Sequence, residues 1–158
     1  MNRVAQFEKC SMSEISQKDI TIPKRGTKGS AGYDFIAPFD FSVPYGSSVI
    51  IPTGIKVQID DGWFLAIVPR SGQGFKYGIE IANTFGVIDS DYYNNPNNEG
   101  EIFVKIVNKD ITTQKTFSVN KGTAFCQGIF LPYGILKDDK QEQGDRIGGF
   151  GSTDNTGG

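Results

Sequence analysis

The stretch Ile55-Lys56-Val57-Gln58-Ile59-Asp60-Asp61-Gly62-Trp63-Phe64-Leu65-Ala66-Ile67-Val68-Pro69 decides the fold class. Its first five residues alternate apolar and polar with the period of two that turns one set of side chains inward and the other outward on a sheet. Asp60-Asp61-Gly62 is a turn signal, and the six apolar residues after it are too few for an ordinary helix and are shut off by Pro69. Two strands joined by a tight turn are the simplest reading. The same pattern continues downstream: residues 102–107, Phe117-Ser118-Val119 and residues 125–131 are apolar or alternating runs, closed by Asn108-Lys109-Asp110, Asn120-Lys121-Gly122 and Pro132. Gly 20 and Pro 7 fall at short intervals from Pro23 onward and leave little room for long helices. Short strands with regular turn signals predict an all-β sandwich, jelly roll or barrel.

Residues 1–20 contain neither Gly nor Pro and show no helical stripe, so they read as an N-terminal strand or an irregular arm. A chain of 158 residues suggests one domain and can bury a core without staples. Lys+Arg 16 against Asp+Glu 18, with no basic window, argues against a direct nucleic-acid binder, and Pro23-Lys24-Arg25 reads as solvated loop. Cys10 and Cys126 are too few for a disulfide framework or a four-ligand zinc site and are expected to be reduced. There is no signal-like apolar region and no run of 18 apolar residues, so the expectation is a cytoplasmic protein that neither spans nor binds a membrane. The absence of histidine removes every imidazole-based mechanism.

Chemistry must then come from carboxylates, hydroxyls, Lys, Arg, backbone amides or a borrowed metal. Five segments place such groups beside small residues. Ala31-Gly32-Tyr33-Asp34 puts an acid after an aromatic. Pro69-Arg70-Ser71-Gly72 combines guanidinium, hydroxyl and a glycine amide at a strand end, a set that suits phosphate oxygens. Gly86-Val87-Ile88-Asp89-Ser90-Asp91-Tyr92 alternates two carboxylates, which would share a face on a strand edge. Gly122-Thr123-Ala124-Phe125-Cys126-Gln127 carries an amide in an apolar strand. The last segment is the tail Gly148-Gly149-Phe150-Gly151-Ser152-Thr153, whose composition predicts flexibility. Singly, each admits a plain structural reading: Arg70 as a surface ion pair, Asp89 and Asp91 as a solvated turn, Gln127 as a satisfied core amide.

In series, the five segments resemble the motifs of the trimeric dUTPase family over roughly residues 31–153. The resemblance implies a jelly-roll-like or distorted-barrel β subunit over residues 1–144 and a flexible lid over 145–158. It also implies a homotrimer and hydrolysis of Mg²⁺-bound dUTP to dUMP and pyrophosphate, which limits dUTP and supplies dUMP for thymidylate synthesis. Asp89 would be the water-activating base, and a carboxylate ionised at neutral pH suits that role. Phosphate contacts would come from Arg70, Ser71, the Gly72 amide and Gln127, with Asp34 as a supporting group. Asn83 and the backbone around Gly86 and Val87 would read uracil, on a hairpin spanning residues 78–92. Tyr92 would pack where a ribose 2′-hydroxyl must go. Arg146, Phe150, Gly151, Ser152 and Thr153 would close over base and phosphates. No protein ligand set for the metal is expected, since Mg²⁺ would be carried mainly by substrate phosphates and water.

Three departures from the family pattern stand out. Residues 93–99 intervene before Gly100 and read as a polar surface loop, harmless or reshaping the rim. Cys126 stands where the family places alanine. Arg146 lies four residues before Phe150 instead of five. A dCTP deaminase on the same fold and a non-enzymatic jelly-roll binding module are the alternatives.

Overall fold

The computed structural model describes residues 2–139. Twelve strands, one short helix and one 3₁₀ turn follow in chain order: β1 Ala5–Lys9, β2 Lys24–Arg25, β3 Tyr33–Ile36, β4 Phe41–Val43, β5 Ser48–Pro52, β6 Ile55–Ile59, β7 Trp63–Val68, α1 Ser71–Tyr77, β8 Ile79–Ile81, β9 Gly86–Ile88, the turn Ser90–Tyr92, β10 Phe103–Asn108, β11 Phe117–Val119 and β12 Ala124–Pro132. All pairings are antiparallel. The largest sheet runs β2-β3-β12-β7-β9, a second runs β5-β10-β8, and β1-β6 and β11-β4 form two-stranded ribbons. The architecture is all-β and jelly-roll-like, and its ladders do not join into one closed barrel among the described residues.

The expected strands at 55–59, 63–68 and 117–119 appear at those bounds. Their inward residues meet in one core, where Phe35, Ile51, Leu65, Val104, Ile106 and Phe125 are all nearly fully buried. Burying such side chains supplies most of the driving force, at about 1.5–3 kcal/mol each. The N-terminal arm does form a strand: β1 pairs with β6 from Ala5↔Ile59 to Lys9↔Ile55. Phe7 anchors it, with ring contacts to Tyr33, Phe35 and Phe130.

Two local expectations are corrected. Lys24 and Arg25 leave the loop briefly to pair with β3. Helix α1, seven residues long, keeps within the short helices that the Gly and Pro spacing allows, and none of its residues is buried, so it carries no apolar stripe to detect. The second corrected expectation lies in β6. Lys56, placed outward by the alternation of β6, is buried instead. Its ammonium sits 2.7 Å from Glu99 Oε1 and 2.8 Å from Asn94 Oδ1, and lies over the Tyr93 ring. A buried cation persists only with such partners.

Candidate active site

The residues expected to carry chemistry fall into two groups, one where β3, β12 and β7 run side by side and one around a cavity beside β9. Gln127 on the central strand is in register with Asp34 on one side and Val68 on the other. Two residues past Val68, Arg70 turns back so that its Nε is 3.1 Å from Asp34 Oδ1. Gln127 Nε2 donates to the Pro69 carbonyl at 3.0 Å, which fixes the approach to Arg70. Gly32 leaves room for the Gln127 amide: a Cβ there would lie 2.2 Å from Gln127 Oε1 and would have to displace it. The segments around Asp34, Arg70 and Gln127 thus converge as expected.

Ser71 and Gly72 open α1, and the amides of a first turn have no carbonyl within the helix to reach. The helix is tied down by Gln73, whose Nε2 donates to the Ala124 carbonyl at 3.0 Å. The Asp34–Arg70 pair is open, with the side chains 25% and 43% exposed. It leaves the guanidinium accessible to an incoming anion.

The second group surrounds a cavity of about 610 Å³. Strands β8 and β9 form the expected hairpin only at its tip, through the bridge Ile81↔Thr84. Below the tip they diverge, β8 to pair with β10 and β9 to pair with β7. The cavity lies between, with apolar walls from Ile67, Ile81 and Val104. Asn83, Gly86, Val87, Asp89 and Tyr92 all line it. Asp89 is half-buried, directly after β9. The strand-edge reading of Asp89 and Asp91 does not hold, because residues 90–92 coil into the 3₁₀ turn and the period of two ends at Asp89. Asp91 is exposed and does not line the cavity.

None of Asp34, Arg70, Ser71, Gly72 and Gln127 lines this cavity. Gly86, Ile67, Gly128 and Tyr33 form one row across β9, β7, β12 and β3, so Gln127 on β12 and Asp34 on β3 stand two and three strands from the β9 wall of the cavity, and Arg70 continues from the end of β7.

Both cysteines are free and buried. Burial pushes the Cys126 thiol well above its ordinary range. Burial, with the Glu101 and Glu99 carboxylates nearby, raises Cys10 to about 12. Neither is a nucleophile at neutral pH. Among the described residues no three Cys, Asp or Glu side chains gather as a metal cage, and no helix is long and apolar enough to cross a membrane.

A sequence model of one family, dUTPase, matches residues 18–154, most of the chain. The chain belongs to the dUTPase family. The deoxyuridine 5′-triphosphate nucleotidohydrolase of Lactococcus lactis is 43% identical over 143 residues, covering 90% of this chain and 93% of the relative. That of Dictyoglomus turgidum is 35% identical over 148 residues, covering 89% and 95%. A crystal structure of dUTPase from Streptococcus mutans, 36% identical, superposes with a TM-score of 0.70 over 82% of this chain and 97% of that one. The dUTPase of Staphylococcus aureus phage phi11, at 21% identity and a TM-score of 0.67 over 89% of this chain and 98% of that one, shares the fold; its structure describes a structural Mg(II) ion.

Membership in the dUTPase family makes the chain a hydrolase. The expected lid boundary at residue 145 and the site residues Arg146, Phe150, Gly151, Ser152 and Thr153 lie outside the described residues. What motif reading missed is the support behind the site: Pro69, held by Gln127, and the loop behind Tyr92, whose hydroxyl receives a bond from Asn98. Neither leaves a pattern: Gln127 and Pro69 are 58 residues apart, and Asn98, six residues after Tyr92, sits in a run of asparagines that reads as turn.

Proposed function

We propose that this chain hydrolyses dUTP to dUMP and pyrophosphate, with Asp89 as general base. The observation that carries this reading is the cavity in which the Asn83–Val87 backbone, Asp89 and Tyr92 meet. Its walls suit a flat base and a deoxysugar, and its one edge carries a carboxylate. Asp89 accepts a hydrogen bond from water and takes its proton as oxygen attacks the α-phosphorus. The bond from that phosphorus to the α,β-bridging oxygen then breaks, and pyrophosphate leaves. Arg70, Ser71 and the Gly72 amide meet the charge that spreads over the phosphates. Gln127 gives one N–H to Pro69 and keeps the other for a phosphate. Asp34 orients Arg70 through its Nε, which leaves the Nη groups for substrate.

A divalent cation would be carried on the triphosphate, whose oxygens are hard ligands of the kind Mg²⁺ prefers, and Asp34 would support it indirectly. When bound, Mg²⁺ neutralises phosphate charge. Arg146 and residues 150–153 would close on the nucleotide from the tail. The separation of the phosphate group from the cavity within one chain supports a homotrimer in which each site combines residues from several copies. The product would supply dUMP for thymidylate synthesis.

The test incubates purified protein and Mg²⁺ with dUTP, dCTP, UTP and dTTP. Pyrophosphate and dUMP from dUTP alone is the expected result. Formation of dUTP from dCTP would show a deaminase, and no turnover at all would leave only a binding module.

A further inference from the structure

Residues 93–99, the insertion after Tyr92, are not a loop lying free on the surface. Asn95 is buried, and its carbonyl accepts from Glu99 N at 2.7 Å. Glu99 ties the segment to the N-terminal arm, accepting from Met12 N at 2.8 Å and Ser11 Oγ at 3.1 Å, and to β6 through Lys56. Tyr93 donates to Glu8 at 2.9 Å. Gly100 closes the loop with φ +80, and a Cβ there would lie 2.4 Å from the Tyr92 carbonyl oxygen. Only glycine fits so tight a return. The loop therefore has one shape, held from three sides.

That shape presents one side chain to Tyr92. Asn98 Nδ2 donates to the Tyr92 hydroxyl at 2.7 Å, while the hydroxyl donates to the Glu101 carbonyl at 3.0 Å. The Asn98 amide is itself aimed, because its Oδ1 accepts from Gly100 N at 3.0 Å. Tyr92 is thus held both as donor and as acceptor from behind the cavity it lines. We propose that Asn98 is a positioning residue for sugar selection, fixing the Tyr92 ring so that a 2′-hydroxyl cannot displace it.

The physical argument concerns stiffness. A ring excludes an added hydroxyl only if it cannot retreat by about the radius of one atom, and a wall left to its own rotamer freedom yields. A pocket that merely senses one small group discriminates by about 10–200-fold, so loosening the wall moves selectivity toward or below that range. This inference rests on the reading of Tyr92 as the residue facing the sugar.

The experiment measures kcat/KM for dUTP and UTP with the full-length enzyme, Asn98→Ala and Tyr92→Ala. Asn98→Ala should lower the dUTP:UTP ratio by about tenfold or more, chiefly by raising UTP use, with kcat for dUTP held within about threefold. A purely structural role would weaken the fold and slow both substrates together, and an unchanged ratio overturns the proposal. If Asn98→Ala does not fold, Asn98→Ser retains a short oxygen to cap Gly100 N but cannot reach Tyr92; it should shift the ratio in the same direction, and an unshifted ratio again overturns it. Tyr92→Ala separates the two levels. If it collapses the ratio while the Asn98 variants do not, only the positioning role fails. If it leaves the ratio at the wild-type value, Tyr92 does not read the sugar and the inference falls with that reading.

Discussion

The Lys56–Glu99 pair behind the cavity and the Arg70–Asp34 pair at the strand end are close in length, 2.7 and 3.1 Å, but they sit in opposite surroundings. Lys56 and Glu99 are 10% and 15% exposed, and Glu99 also accepts from Met12 N and Ser11 Oγ. Arg70 and Asp34 are 43% and 25% exposed, with Asp34 on β3 between Lys24 of β2 and Gln127 of β12. The first pair completes itself within the chain and serves as scaffold. The second has room for more negative charge, and an open ion pair adds at most about 1 kcal/mol to the fold. On the proposed reading, one half of the site is bonded within the chain before substrate arrives, and the other would be completed by it. Changes in the open half should therefore cost rate without stability, and changes behind the cavity should cost stability or selectivity before rate.

The largest effect is expected at Asp89. Asp89→Asn keeps the size of the side chain but removes the proton acceptor, so kcat should fall by roughly 10²–10⁴ while thermal stability and nucleotide binding stay near wild type. Stopped assays of pyrophosphate release and calorimetric titration with a non-hydrolysable dUTP analogue measure the two. Wild-type turnover would remove Asp89 as base. Next comes Arg70→Ala, which should lower the rate by roughly 10²–10³ and leave the melting temperature unmoved. A variant that melts well below wild type would break the contrast between the pairs, because it would make the open pair a scaffold as well. Gly32→Ala probes the same half more gently. The new methyl has to push the Gln127 amide aside, breaking its bond to Pro69 and unseating Arg70 by a few tenths of an ångström. A rate loss of about tenfold is expected, with mutated Gln127→Ala adding little to it.

These contrasts bear on what a sequence reveals. Strands β6, β7, β11 and β12 were legible because alternation, apolar runs and turn residues are all local signals, and the five segments were legible because a family resemblance orders them. Helix α1 was not, since it buries nothing and so has no stripe. The turn at 90–92 hid within a run that alternated well enough to pass for a strand. Lys56 misled for a different reason. Its place inside the protein depends on Glu8, Asn94 and Glu99, none of them a neighbour in sequence, and a period-two rule has no access to them. The insertion at 93–99 looked like polar loop because its asparagines are turn formers, yet several of those amides are consumed in bonds that shape the back of the cavity. The resemblance proposes the reacting groups from short segments; the bonds that hold their surroundings arise only in three dimensions.

The smallest effect tests the scaffold pair directly. The Glu99 carboxyl is held down to about 2 from an ordinary 4.5, first by its hydrogen bond from Lys56, then by those from Met12 and Ser11, with burial opposing. Because the folded value lies below the unfolded one, the contribution is complete above pH 4.5 and is lost as pH falls toward 2. Glu99→Gln removes that charge and leaves Lys56 with Asn94 and a longer 3.8 Å approach to Glu8. Unfolding free energy at pH 7 should drop by about 1–3 kcal/mol, since the pair is largely but not wholly shielded from solvent. The gap between wild type and variant should then narrow between pH 4.5 and pH 2, as the wild type loses what the variant already lacks. Urea titrations at pH 7, 4.5 and 3 measure it. A gap that stays constant across that window would mean the stabilisation comes from packing of the loop and not from the ionised pair, and the two pairs would then differ in burial but not in electrostatic role.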